Sequence, residues 1–236
     1  MWVETGGKRL ELNVVQKIAV FALPVLFAIT LHEAAHGYVA RHFGDMTAYA
    51  AGRVSLNPLR HIDLVGTIIV PLVSLLVADI LFGWAKPVPV NFSNLRRPKQ
   101  DMLWVAAAGP LSNLAMALGW AIAFKLGSGL ALSNPAAVWL ILVGACGIFV
   151  NVIFMVLNLL PLPPLDGGRI AVSLLPHRLA WRYAQVERFG FLILIALLFS
   201  GLLGLILWPM INFSIAGVGT LFGIAPVELY RLIRAL

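Results

Sequence analysis

Residues 18–43 read IAVFALPVLFAITLHEAAHGYVARHF, an apolar run that is long enough to cross ~30 Å of hydrocarbon as a helix. Its second half contains LHEAAH, in which His32 and His36 are four positions apart. Residues at i and i+4 lie on one face of a helix, so the two imidazoles point the same way. Two such histidines can bind a metal ion, with Glu33 beside them as a general base. Because ionisable residues at membrane depth are costly and mark function by default, this stretch predicts a membrane helix with a metal site.

The composition of the whole chain is that of an integral membrane protein. Of its 236 residues, 61% are hydrophobic and 11% are charged, with a mean hydropathy of +0.93, whereas a soluble domain is nearer half apolar and a quarter charged. We expect an all-α fold, because irregular backbone cannot face lipid and the short alternating strands of a barrel are missing. The formal net charge of +7 is typical of basic cytoplasmic loops, so no nucleic-acid partner is expected.

About five to six hydrophobic segments divide the chain, which we interpret as a single integral membrane domain over residues 1–236. Turn-forming residues within 47–63 predict a short β-hairpin or loop near the membrane. The basic stretch 177–188 predicts a short helix at the membrane interface. After 18–43 comes the segment 64–83, which glycine, proline and aspartate interrupt. It is followed by a helix over 102–126 and by an aspartate-bearing helix over 136–166 that ends in prolines. C-terminal helices lie within 189–236; one ends near residue 207, and another, 211–225, is short for a full crossing.

A catalytic zinc site takes three protein ligands and keeps one open position, so the two histidines need a third partner. The other histidines are poor candidates, because His42 lies on another face of the first helix and His61 and His177 lie in basic loops. Asp166 is a better candidate, in the stretch NLLPLPPLDGGR at residues 158–169. Its prolines break the helix and its glycines permit close approach, and broken backbone at membrane depth is tolerated where it lines a cavity.

Each motif alone also has a simpler interpretation. The histidine motif can be a chance match or a set of polar residues that bond across a helix bundle. The proline-rich stretch can be an ordinary helix end followed by a turn.

The two motifs together, H-E-x-x-H and N-x-x-P-x-P-x-L-D-G, resemble those of the site-2 protease family of intramembrane zinc metalloproteases, peptidase family M50. The stretch GPLSN at 109–113 is similar to a motif on the helix between the two ligand-bearing helices of that family. GRVSLNP at 52–58 and GWAKPV at 83–88 resemble signatures of its small bacterial branch, which lacks PDZ domains. The resemblance extends over most of residues 31–169 and is weak after about residue 190.

The resemblance implies a catalytic core within residues 18–170 and one Zn²⁺ per chain, with three ligands: His32, His36 and Asp166. Glu33 is then the catalytic base. Asn158 is implied to contact the substrate backbone or the oxyanion, and Asn113 to support the site, so both are carried as candidate substrate-binding residues. For Asn158, capping of its own unwinding helix is an equally open alternative.

Sharing of one metal by the first helix and the end of the fourth segment constrains the topology. The C-terminal end of the first helix and the C-terminal end of the fourth segment must face the same side of the membrane. One crossing therefore lies between them, and 64–83 is the re-entrant or lateral piece. Most Lys and Arg side chains then fall on that side, in residues 41–101 and 161–188. This places the active site near the cytoplasmic face of a bacterial inner membrane. An arrangement with a further crossing gives a similar charge split, so charge alone does not decide.

Together these features predict an enzyme that hydrolyses peptide bonds in or near transmembrane segments of membrane proteins. Its partners are then the lipid bilayer and a transmembrane protein or peptide as substrate. An extended substrate can pair with a strand edge, for which residues 47–57 are a candidate. The alternatives are a transmembrane divalent-metal transporter and an inactive scaffold that binds helices.

Overall fold

The computed structural model describes residues 12–70, 86–130 and 134–235. Four of its helices, Val14–His42, Pro98–Ser128, Pro135–Asn158 and Leu202–Phe222, are long and apolar enough to cross a membrane. This is the all-α, polytopic architecture that the composition predicted. The helices are α1 (Val14–His42), α2 (Thr47–Ala50), α3 (Pro98–Ser128), α4 (Pro135–Asn158), α5 (Asp166–Leu174), α6 (His177–Ala184), α7 (Glu187–Phe199), α8 (Leu202–Phe222) and α9 (Pro226–Ala235), with 3₁₀ turns at Pro58–His61 and Phe92–Asn94 and a π-helical turn at Leu64–Ile69.

Of the hairpin or loop expected over residues 47–63, the hairpin does not form, and the strand edge expected at 47–57 is absent. The Asp45 carboxylate accepts the Thr47 N–H at 3.1 Å, which helps to start the helical turn of α2. The Asn57 side chain accepts the Leu59 N–H at 3.0 Å and begins the following 3₁₀ turn. Asparagine and aspartate side chains that bond nearby backbone groups favour turns over strand pairing, which explains why helical turns form here.

The centre of the fold is a core of three helices, α1, α3 and α4. Helices α3 and α4 approach closely because a small residue faces the partner backbone, as a Cβ at Gly144 would lie 2.8 Å from the Phe124 nitrogen. Close approach at small residues is a common way for membrane helices to pack. Aliphatic side chains fill the rest of this interface, among them Ala117, Ala121, Ile141, Ala145 and Ile148.

The chain between α1 and α3 leaves and returns at the same end of this core. The Arg96 N–H donates to the Phe43 carbonyl at 3.0 Å, and the Lys86 N–H donates to the His61 carbonyl at 2.9 Å. Helices α1 and α3 therefore run antiparallel, and α4, which follows α3 after a short connection, runs parallel to α1. Residues 71–83 of the segment expected to be re-entrant or lateral lie outside the described residues.

Asp45 docks the returning chain onto the end of α1. Besides Thr47, its carboxylate accepts the Asn91 N–H at 2.8 Å and the Asn94 side-chain amide at 3.1 Å. Burial alone would raise the pKa of Asp45, but these hydrogen bonds to the ionised form outweigh burial and lower the pKa below its usual range. The bonds hold residues 86–97 beside the C-terminal part of α1, where the candidate ligands lie.

The helix expected over 136–166 is two separate elements. Helix α4 ends at Asn158, and Asp166 is the first residue of α5. The connection between them contains three prolines, which remove backbone donors and cannot continue a helix. Asp166 is thus presented by the start of a short helix rather than by the end of a long one.

The C-terminal helices also begin and end at other residues than expected. Gly201, with φ of +75°, separates α7 from α8, because this left-handed conformation favours glycine. Helix α8 then continues through Pro209 to Phe222, so the segment expected to end near residue 207 does not end there. Proline is tolerated inside membrane helices, where neighbouring groups can satisfy the freed carbonyl. Within the basic stretch 177–188, residues His177–Ala184 form the expected short helix, α6.

Candidate metal centre

The two histidines of α1 and Asp166 converge on one point. The Nε2 atoms of His32 and His36 lie 3.1 Å apart. The Oδ2 atom of Asp166 lies 3.1 Å from His32 Nε2 and 3.3 Å from His36 Nε2. His32 and Asp166 are each only 7% exposed. Within the described residues these three side chains form a group that can hold a metal ion.

The other ring nitrogen of each histidine is already bonded. His36 Nδ1 lies 2.7 Å from the Val105 carbonyl of α3, which can only accept, so Nδ1 donates. His32 Nδ1 lies 2.6 Å from Oδ1 of Asn113, also on α3. A neutral imidazole that donates through Nδ1 presents a lone pair at Nε2. Both rings therefore direct lone pairs toward Asp166.

These atoms have the spacing and chemistry of a zinc site. Tetrahedral ligands about 2.05 Å from zinc lie about 3.3 Å from one another, close to the 3.1–3.3 Å measured here. Asp166 Oδ2 is buried and accepts no well-aligned hydrogen bond in the described part of the chain. Three lone pairs that face one another repel unless a cation lies between them, so the residues fit a bound metal ion.

The charge of Asp166 suits this role. A carboxylate binds metal ions in its deprotonated form and adds a negative charge to the two neutral imidazole ligands.

Gly109 on α3 explains how the two imidazoles can lie so close to a neighbouring helix. A Cβ at this position would lie 2.5 Å from His32 Cε1 and 2.5 Å from His36 Nε2. Any other residue would displace the rings. Sequence reasoning identified this glycine only as part of the GPLSN motif, and the structure supplies the steric reason for it.

Glu33 is held by the chain that returns from residue 86. Its Oε2 accepts the Val88 N–H at 2.7 Å. Arg53 in turn donates to the Lys86 carbonyl at 2.9 Å, and Lys86 itself bonds the His61 carbonyl. Val88 was not identified as a site residue from the sequence, although it closes the quoted GWAKPV motif. A backbone donor carries no side-chain signal, so only the fold could reveal it.

The two candidate substrate-binding asparagines have different positions. Asn113 is fully buried between α1, α3 and α4, where it bonds His32, Ala28 and Asn151. Its expected contact with substrate does not fit this position, whereas its expected support of the site does. Asn158 is the last residue of α4, and its Nδ2 donates to the Phe154 carbonyl at 3.0 Å. The side chain thus bonds a carbonyl of its own helix, four positions back.

The remaining histidines lie apart from this group of ligands. His42 ends α1 and contacts the Phe43 ring, and His177 begins the exposed helix α6. His61 is only 2% exposed rather than lying in an open loop, and its Nε2 lies 2.9 Å from the Ser55 carbonyl. Its 3₁₀ turn packs against α1, a contact that could not be read from local sequence.

Comparisons with known proteins agree with this site. Residues 130–201, which include Asp166, match the family described as Peptidase family M50. Over 192 residues the chain is 38% identical to "Putative zinc metalloprotease YwhC" of Bacillus subtilis, a match that covers 80% of this chain and 84% of that protein. Over 189 residues it is 32% identical to "Putative zinc metalloprotease Rip2" of Mycolicibacterium smegmatis, covering 78% of this chain and 69% of that protein. No solved structure matches. The chain therefore belongs to peptidase family M50, the family that its motifs resemble.

Proposed function

We propose that this protein is an intramembrane zinc metalloendopeptidase that hydrolyses peptide bonds in or near transmembrane segments of membrane proteins. The observation that carries the proposal is the convergence of two imidazole nitrogens of α1, a helix that can cross a membrane, with the Asp166 carboxylate oxygen, all 3.1–3.3 Å apart. The names of the two relatives support zinc as the metal. We assign one Zn²⁺ to each chain and a catalytic core to residues 18–170.

Zinc held by His32, His36 and Asp166 would supply Lewis-acid chemistry, polarising the scissile carbonyl and lowering the pKa of bound water toward ~7. Glu33 is the general base, because it follows the first ligand directly and one of its oxygens is positioned by the Val88 N–H. Its carboxylate takes a proton from the attacking water and delivers it to the leaving amide nitrogen.

Asn158 is the candidate donor to the oxyanion. Its side-chain Nδ2 bonds the Phe154 carbonyl, so this role requires the amide to exchange that carbonyl for the charge that develops on the substrate. Asn113, in contrast, acts behind His32 and does not contact substrate in this proposal.

The position of the site supports a membrane-embedded substrate. The two histidine ligands lie in the C-terminal part of α1 and Asp166 lies at the start of α5, next to the connecting segments that carry most of the basic residues. The positive-inside rule therefore favours a site near the cytoplasmic face of the bacterial inner membrane. A substrate helix hides its amides in internal hydrogen bonds, so it must unwind locally before its carbonyl can reach the site.

The test is a cleavage assay on a model transmembrane peptide, with zinc content measured on the same purified samples. Glu33→Gln should abolish cleavage and keep zinc bound, because it removes the base and leaves the ligands. Asp166→Ala should lose both. Glu187→Gln, the same change at an exposed position of α7, is the matched control and should behave like the parent.

Other outcomes would overturn the proposal. A parent protein that moves divalent ions across vesicles and cleaves no peptide would be a transporter. A parent that binds zinc and a helical peptide, but cleaves nothing under any condition that supports binding, would be a scaffold.

A further inference from the structure

A buried polar chain extends from His32 across all three helices of the core. His32 on α1 bonds Asn113 on α3, Asn113 bonds Asn151 on α4, and Asn151 bonds the Gly147 carbonyl within α4. Both asparagines are 0% exposed. Buried amides are costly unless every group is bonded, so such a chain in an apolar core is expected to have a purpose.

The direction of every hydrogen bond in this chain follows from its far end. The Gly147 carbonyl can only accept, so Asn151 presents Nδ2 to it at 2.9 Å and Oδ1 to Asn113. Asn113 donates Nδ2 to that Oδ1 at 3.0 Å and to the Ala28 carbonyl at 3.3 Å. Its Oδ1 is then left to face His32. His32 Nδ1 must therefore carry the proton, and Nε2 keeps the lone pair that a metal needs.

The two histidine ligands differ in how this tautomer is held. His36 bonds a backbone carbonyl, that of Val105, which cannot exchange donor for acceptor. His32 bonds a side-chain amide, which can rotate by half a turn and present its NH₂ group instead. A rotated Asn113 could not accept a hydrogen bond from Nδ1–H. The His32 proton would then move to Nε2, where it blocks metal binding. Something must therefore keep Asn113 from rotating.

We propose that Asn151 is a positioning residue that sets the tautomer of the metal ligand His32, acting through Asn113. It offers Asn113 an oxygen acceptor at 3.0 Å, shorter than the 3.3 Å to the Ala28 carbonyl, and its own orientation is set by the backbone of α4. Removal of residues that orient a metal-ligating histidine typically changes metal affinity by about 10–100-fold. The inference rests on the proposed function only in taking zinc as the ion.

The test is a double-mutant cycle read out as zinc affinity of the apo protein, measured by competition with a chelator. Asn151→Leu, which has nearly the same size and no polar group, should weaken zinc binding by about tenfold. Asn113→Leu should weaken it at least as much. In the Asn113→Leu background, Asn151→Leu should cause no further loss, because the residue acts through Asn113. Additive losses would overturn the inference.

A purely structural role is tested by a matched variant on the same helix. Ile148→Ala removes a fully buried side chain of α4 that lies outside the polar chain. It should lower thermal stability and leave zinc affinity at the parental value. Equal zinc affinity of Asn151→Leu and the parent would overturn the inference, and equal weakening by Ile148→Ala would do the same.

If Asn151→Leu fails to fold, the pair Asn151→Ser and Asn151→Ala makes the same comparison. The serine hydroxyl keeps an acceptor and a donor at this position, whereas alanine of similar size keeps neither. Serine should therefore bind zinc more tightly than alanine, and equal affinities would overturn the inference. A parent protein that binds no zinc would instead remove the proposed function itself, which separates the two failures.

Discussion

Replacement of Gly109 by alanine should disable the site through one methyl group. The new Cβ would lie 2.5 Å from His32 Cε1 and 2.5 Å from His36 Nε2. Atoms in contact normally lie about 3.5–4.0 Å apart, so the two rings, or the whole of α3, must retreat by about 1 Å. The backbone of α3 is held by its tight packing on α4 near Gly144, so we expect most of the movement in the rings.

The size of the effect follows from this displacement. Metal–ligand distances tolerate deviations of about 0.2 Å, so a shift of about 1 Å in two of three ligands should weaken zinc binding by more than tenfold. A misplacement of about 1 Å at a reacting centre costs on the order of 100-fold in rate, which corresponds to about 2.7 kcal/mol. Overpacking should also destabilise the fold by about 1–3 kcal/mol.

The assay compares kcat/KM, zinc affinity and thermal stability of Gly109→Ala and Gly119→Ala. Gly119 lies on the same helix, and a Cβ there meets no atom within 4 Å. Alanine at 119 should be neutral or stabilise the helix by up to about 1 kcal/mol. Parental zinc affinity and activity in Gly109→Ala would refute the assigned positions of the two imidazoles.

Two further predictions concern the chain that returns to α1. Val88→Pro removes the N–H that holds Glu33. It should lower kcat by about 10- to 150-fold at unchanged zinc content, because a hydrogen bond to a charged group contributes about 1.5–3 kcal/mol. Val88→Ala keeps the donor and should stay near the parent, so equal kcat values of the two variants would contradict this prediction. Asp45 has a lowered native pKa, so its contribution to stability is present above the ordinary aspartate pKa of about 3.9 and is lost as pH falls through the lower native value. Thermal unfolding between about pH 2 and 6 should show the gap between the parent and Asp45→Asn narrowing toward low pH, and a constant gap would argue against it.

The helical repeat explains why two ligands and the base could be predicted locally. His32 and His36 share a face in any α-helix, and Glu33 lies between them, directly after His32. Asp166 was predictable because few carboxylates occur in the apolar part of the chain, and because its prolines break the helix just before it. Zinc requires three ligands, so these residues were the best set available.

Residue types and their periodicity thus determined the class of the fold, the spanning helices and the composition of the metal site, because these three features depend on interactions within a few residues. Tertiary packing decided the rest: that α8 continues through Pro209, and that Asn113 faces His32 rather than a substrate. It also brought Val88 to Glu33 and Asn151 to Asn113. These contacts join residues 38 to 55 positions apart, and the path that brings them together depends on how whole helices pack, which no local pattern encodes.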